Sequence, residues 1–187
     1  MTIPTLDDGR GSVLLLEAAS AIVSGGDLDG TLDAALSAAR RLTGARYAAI
    51  GIIDPASGQF ARYLTEGLDA QVVRAIGEPP RGRGVLGILM REATPVRLAR
   101  IGDHPESYGF PVDHPVMTSF LGLGLRLGDT VWGTICVTDK SGGGDFTDVD
   151  EQRLAALADL TVRAADPHAR LEAAVRRADR LEQDREA

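Results

Sequence analysis

An α+β fold, with helices packed on a central antiparallel sheet, is what the order of patterns along this chain predicts. Two helix-forming stretches come first, then two strand-like runs joined by a turn, then a second strand pair after a long loop, and a charged helix closes the sequence. Turn connectors within each strand pair point to antiparallel hairpins, and a helical crossover links the first pair to the second.

The elements follow in order. Residues 12–24, SVLLLEAASAIVS, are apolar and helix-forming, and Gly25-Gly26 stops them. A second helical stretch, LDGTLDAALSAARRLTG, ends at Gly44. ARYAAIGIID and QFARYLTEG read as strands, and Pro55-Ala56-Ser57-Gly58 between them is a turn connector that makes them a hairpin. A short helical patch, DAQVVRAIG, precedes PPRGRGVLGILMREATPVRL, in which a helix is expected over residues 85–91. Strands over residues 118–127 and 130–139 turn at Gly128-Asp129 and should form the centre of the sheet. Thr147, with Asp150 three residues on, is a helix N-cap, and Leu154, Leu157 and Leu160 give the following helix an apolar stripe. Pro167 is expected to kink or break that helix. Beyond it Leu171, Val175, Ala178 and Leu181 recur at helical spacing among dense charges, which suits a paired helix. The organisation read from this is an N-terminal segment and helix over 1–27, a central domain over 28–166, and a C-terminal helix over 167–187 suited to pairing.

Composition removes several function classes. The 187 residues, 44% of them apolar, suffice for one domain with a full core. Twenty Lys and Arg against 27 Asp and Glu give a net charge of −7, which argues against a nucleic-acid partner. The single Cys136 excludes an internal disulfide, no apolar run approaches the ~20 residues that span a bilayer, and the N-terminus lacks the basic and apolar regions of a signal peptide. The expectation is a cytoplasmic protein with neither a membrane nor a nucleic-acid partner. There is no GxSxG, HExxH or CxxC, so no catalytic constellation is expected.

The most informative stretch is HPESYGFPVDHPVMTSFLGLGLRLGDTVWGTICVTDK, residues 104–140: a Pro-punctuated loop with two histidines that runs into the second strand pair. His114, between Asp113 and Pro115, is offered from that loop. His104 reads as a loop-stabilising residue and His168 as a solvated one. Val85, Leu86, Leu89, Met90, Phe110, Met117, Phe120 and Ile135 are available to line a pocket or simply to fill the core. The glycines of RGRGVLG lack the Lys and Ser/Thr of a phosphate-binding loop, although Arg81 and Arg83 could hold a single phosphate. Asp139-Lys140, at a strand end, reads as a turn-stabilising pair.

The layout resembles a GAF domain over roughly residues 28–165, and in one place the likeness is narrower. HPxSxGFPxxHPxMxxFLG, followed by VxGxxxxTDK and FxDxDE, is similar to the first GAF domain of the DevS/DosT-like family of haem-binding sensor kinases. The match runs through His104, Ser107, Phe110, Pro111, His114, Met117 and Phe120, then Gly133, Thr138, Asp139 and Lys140. This resemblance implies haem b as cofactor and His114 as its proximal iron ligand, the metal site, within walls from Phe110, Met117, Phe120, Leu89 and Met90. It gives His104 no axial role, and Met117 is a weaker candidate ligand through its sulfur. Cys136 departs from the pattern, because that family has a distal tyrosine there and a thiol is a poor hydrogen-bond donor. Cys136 is then either a small core residue or, if deprotonated, a ligand itself. The expected function is a sensor of redox state or of a diatomic gas, acting as a homodimer and not an enzyme, with its output on a further segment or partner since no kinase motif is present. Two alternatives stand beside it: a haem-free GAF domain that binds another small molecule or only dimerises, and an enzyme like the methionine-sulfoxide reductases that share the fold, for which Cys136 lacks a resolving partner.

Overall fold

A computed structural model of the chain describes residues 9–77, 80–92, 94–110 and 114–186, with the side chains at 10, 180, 181 and 183–186 outside the description. Pro111 and Asp113 of the loop motif, and the Leu181 side chain of the terminal stripe, therefore lie outside the described residues. Helices α1 (Gly9–Val23) and α2 (Leu28–Thr43) lead into strands β1 (Ala45–Ile53) and β2 (Phe60–Glu66); α3 (Ala70–Ile76), α4 (Val85–Arg91) and β3 (Val96–Leu98) follow; β4 (Phe120–Leu127), β5 (Thr130–Lys140) and α5 (Asp148–Glu186) complete the order. The α+β architecture expected from sequence is thus present.

Local chemistry sets the boundaries. Asp27 starts α2 by accepting the Gly30 N–H at 2.8 Å, and Gly44, at φ 67°, closes it in the left-handed conformation that a Cβ disfavours. At α5, Thr147 and Asp150 form a reciprocal cap: Asp150 Oδ2 accepts the Thr147 N–H at 2.7 Å, and Thr147 Oγ1 accepts the Asp150 N–H at 3.3 Å. Pro167 does not break α5, which runs continuously past it. Pro167 and Arg163, whose carbonyl loses its partner there, are both exposed, so water can take the place of the missing N–H. β3 was not anticipated: three residues pairing only with β4 are too few to show alternation.

The five strands lie in the order β2-β1-β5-β4-β3, all pairs antiparallel. β5 is central, whereas β4 is next to the edge strand β3 and not at the centre as expected. Alternation gives the sheet two different faces. Ile50, Leu121, Leu125, Ile135 and Val137 point to one side and, with α1, α2 and the first part of α5, form the main core. The other face carries Ala49, Phe120 and Cys136, and the short α3 and α4 and the loops cover it, with a smaller cluster that includes Val85, Leu89 and Ile101. Ile135 is therefore core and no pocket wall.

Candidate functional site

Register builds a cavity on the thinly covered face. Cys136 lies opposite Ala49 on one side and Gly122 on the other, and Ala49 lies opposite Thr65, so a row of small residues crosses four strands. Larger residues flank that row: Tyr47, Thr138 and Phe120 pair across the sheet on one side of it, and Tyr63, opposite Gly51, stands on the other. A side chain at Gly122 would meet Leu89 Cδ1 at 2.6 Å and Cys136 Cβ at 2.9 Å, so glycine is what allows α4 to sit down on the sheet at one end. What remains open is a cavity of ≈ 260 Å³.

Four groups of residues line it. The floor is the small row with Tyr47 and Tyr63. One wall comes from α3 and its flanks, through Leu68, Val73 and Ile76; another from the start of α4, through Arg83, Val85 and Leu86. The cover is the segment that carries Ser107, Tyr108, Phe110, His114 and Met117. The walls are predominantly apolar, as ligand cavities are, and the volume falls just below the usual ~300–1,000 Å³.

Of the residues singled out from sequence, His114, Phe110, Met117, Phe120 and Cys136 come together around this cavity; Leu89 and Met90 do not. Leu89 is fully buried between α4 and Gly122, and Met90 lies over Gly82, because successive helical positions turn by about 100° and only Val85 and Leu86 are left facing the opening.

His114 is half-buried. Its ring stacks on Phe110, centroids 4.8 Å apart and planes inclined at 17°, and its Nδ1 lies 2.8 Å from the Pro115 carbonyl oxygen. In the neutral ring that contact puts the proton on Nδ1 and leaves the Nε2 lone pair available, the arrangement in which histidines bind metals. His104 does not line the cavity; its Nδ1 accepts the Glu106 N–H at 3.2 Å, a loop-stabilising role as expected. Met117 sulfur accepts a hydrogen bond from Thr138 Oγ1 at 3.0 Å.

Burial pushes the Cys136 thiol up to about 12, against a smaller opposing effect of its backbone contact with Ala49. It is held as a neutral thiol at neutral pH, and the thiolate needed for iron ligation or nucleophilic attack is disfavoured. The Tyr63 phenol is raised too, chiefly by burial and further by the nearby Cys136. A phenolic hydroxyl thus lines the same cavity as the thiol, contributed by β2 and not by β5.

Sequence reasoning missed Tyr63, Tyr47 and the α3 wall. The signal for the tyrosines was the alternation in ARYAAIGII and FARYLTE, but using it requires the β1–β2 register, which a four-residue turn does not fix. Among the described residues there is no group of three or more His, Cys, Asp or Glu side chains that could hold a metal ion. No helix among them is long and apolar enough to cross a membrane.

The family follows from this fold and site together with the sequence. A family model for the GAF domain matches residues 26–166, and the chain belongs to that family. Solved structures agree on the fold. The GAF domain of a phosphoenolpyruvate-protein phosphotransferase from Coxiella burnetii superposes with a TM-score of 0.75 at 20% identity, covering 88% of this chain and 96% of that one. A free methionine-R-sulfoxide reductase from Neisseria meningitidis, in complex with its substrate, gives 0.68 at 15% identity over 88% and 95%. The far-red absorbing dark state of a protein with bound biliverdin IXa gives 0.55 at 16% identity over 83% and 99%. GAF domains are small-molecule-binding sensory modules, and at these identities the likenesses establish the fold alone.

Proposed function

We propose that this GAF domain is a cytoplasmic sensory module, not an enzyme, that binds haem b through His114 and passes changes at that site to its C-terminal helix. The observation that carries the reading is the His114 imidazole: half-buried, lining an apolar cavity, stacked on Phe110 and bound at Nδ1 by a carbonyl. These residues fit a haem. His114 supplies one neutral nitrogen donor, Phe110, Met117 and Phe120 supply apolar walls, and the neutral thiol of Cys136 and hydroxyl of Tyr63 stand on the floor. Haem, when bound, supplies an iron that takes a diatomic gas or changes oxidation state. A buried phenol donates a hydrogen bond better than a thiol, so Tyr63 rather than Cys136 would be the donor to a molecule held in the cavity.

A route from the site to α5 runs through ordered contacts. The segment after His114 is fixed at Thr118, whose N–H donates to Asp139 Oδ1 at 2.7 Å; Asp139 is the one non-glycine residue at positive φ, 55°, among those described. The next residue, Lys140, forms an ion pair with the buried Asp150 of the α5 cap. Asp139 and Lys140 do not pair with each other; they tie the ligand segment and the output helix to the same strand end. On α5, Leu171 and Val175 are 64% and 52% exposed, which favours a homodimer through paired helices.

The volume of ≈ 260 Å³ favours a second reading, in which the cavity takes an organic molecule smaller than haem. Absorption spectroscopy separates the two. Protein incubated with haemin and passed over a desalting column should keep a Soret band that shifts on reduction and again with CO. A spectrum that shows only free haemin excludes the first reading.

A further inference from the structure

We infer that the ligand of this cavity is an amphipathic anion, with an apolar body against the sheet and a carboxylate, sulfonate or phosphate at the mouth on Arg83. The inference deepens the proposed function, on which it rests for the use of this cavity, by naming the chemical class of what binds.

Arg83 is the one Lys or Arg among the described residues lining the cavity, and no described Asp or Glu lines it. Its guanidinium lies 5.5 Å from the centroid of the Tyr108 ring, and one nitrogen donates to Tyr108 Oη at 3.3 Å. One of five donors is thereby used, and no described carboxylate pairs with it. Other arginines in this acidic chain pair with carboxylates: Arg40 with Glu66, Arg91 with Glu106, Arg97 with Asp148 and Glu151. Glu106, which neighbours the Tyr108 segment, is engaged by Arg91 at 3.0 Å.

The backbone holds Arg83 where it is. A Cβ at Gly84, φ 67°, would lie 3.1 Å from the Glu106 carbonyl oxygen and 3.3 Å from the Tyr108 nitrogen, so the 83–84 segment abuts the 106–108 segment and the guanidinium is kept on the tyrosine ring. No other Lys or Arg among the described residues lines the cavity, and on the floor Tyr63, Cys136 and Thr138 are uncharged, with the rest apolar or small. A net charge of −7 repels anions from the surface at large, so a cation with no acidic partner among the described residues selects which anions enter. A planar guanidinium matches carboxylate, sulfonate and phosphate alike.

Two dyes with one aromatic body test this: 1-anilinonaphthalene-8-sulfonate, an anion, and N-phenyl-1-naphthylamine, which lacks the sulfonate. Fluorescence titrations use full-length wild-type protein, Arg83→Gln, Arg83→Lys, and Arg126→Gln as a charge control at the far β4–β5 turn, with Ala49→Trp to fill the cavity floor. The inference expects Ala49→Trp to abolish binding of both dyes. Arg83→Gln should weaken the sulfonate dye roughly fivefold and leave the neutral dye unchanged, as for a partly solvated ion pair. Arg83→Lys should recover most of that loss and Arg126→Gln should change neither. Equal weakening of both dyes by Arg83→Gln makes Arg83 a wall and overturns the inference, as does no weakening of either. If wild type binds neither dye, or Ala49→Trp leaves binding intact, the cavity itself is not the site. The same variants titrated with haemin and with its dimethyl ester separate the two proposals: dye discrimination without any Soret band retains the anionic class and removes haem.

Discussion

Cys136 shows how one residue's surroundings decide its chemistry. At 6% exposure, between Ala49 and Gly122, it has no charged partner to stabilise a thiolate, and burial keeps the proton on sulfur. The sign for stability follows from linkage. Between the ordinary thiol value near 8.5 and about 12 the unfolded chain has released this proton while the folded chain retains it, so the native state loses stability as pH rises through that window. At pH 7 the group contributes nothing either way. Urea unfolding of wild type and Cys136→Ala at pH 8 and pH 10 should show the wild type losing about 1–2 kcal/mol more than the variant over that interval. Parallel losses would mean the thiol ionises in the folded protein. His114 was legible from sequence as a loop histidine because the prolines around it mark the loop, and it does line the cavity. Tyr63 stands in no pattern that points to a site, and Arg83 reads only as a possible phosphate contact beside Arg81; register and loop packing are what bring the two to the same cavity.

At the level of elements, helix and strand identities were legible because each is bounded by a residue with a physical reason to be there: Asp27 and Gly44 around α2, Gly128 in the β4–β5 turn, Thr147 at α5. Pairing order was less so, since nothing local in β4 or β5 states which of them neighbours β1. Nor did composition reveal that Asp150 is buried. It is 2% exposed, accepts from Thr147 twice and pairs with Lys140. Asp150→Ala should cost about 2–4 kcal/mol in urea unfolding, because it removes the α5 cap and leaves Lys140 without its acidic partner. Asp150→Asn, which keeps an acceptor for the cap, should cost distinctly less. Equal costs would assign the stability to the charge alone, and a cost below about 0.5 kcal/mol for Asp150→Ala would show that this junction does not hold α5 to the sheet.

For the whole molecule, the asymmetry of the sheet is the organising fact. One face is sealed by α1, α2 and α5, and the other is covered by two short helices and a loop, so the proposed ligand cavity and the proposed output helix lie on opposite sides, joined at the strand end that holds Asp139 and Lys140. The exposed Leu171 and Val175 lead to an expectation about assembly: full-length protein should sediment as a dimer at tens of micromolar and a version ending at Asp166 as a monomer, with Leu171→Asp weakening the dimer. The same state in both versions would assign assembly to another surface.

The central claim, that His114 holds the cofactor, is tested most directly by haem retention in His114→Gly, His104→Gly and wild type after reconstitution and gel filtration, with and without added imidazole. The account predicts that His104→Gly retains haem like wild type, that His114→Gly loses most of it, and that imidazole restores the Soret band to His114→Gly by replacing the missing ligand. Equal retention in the two variants would contradict it.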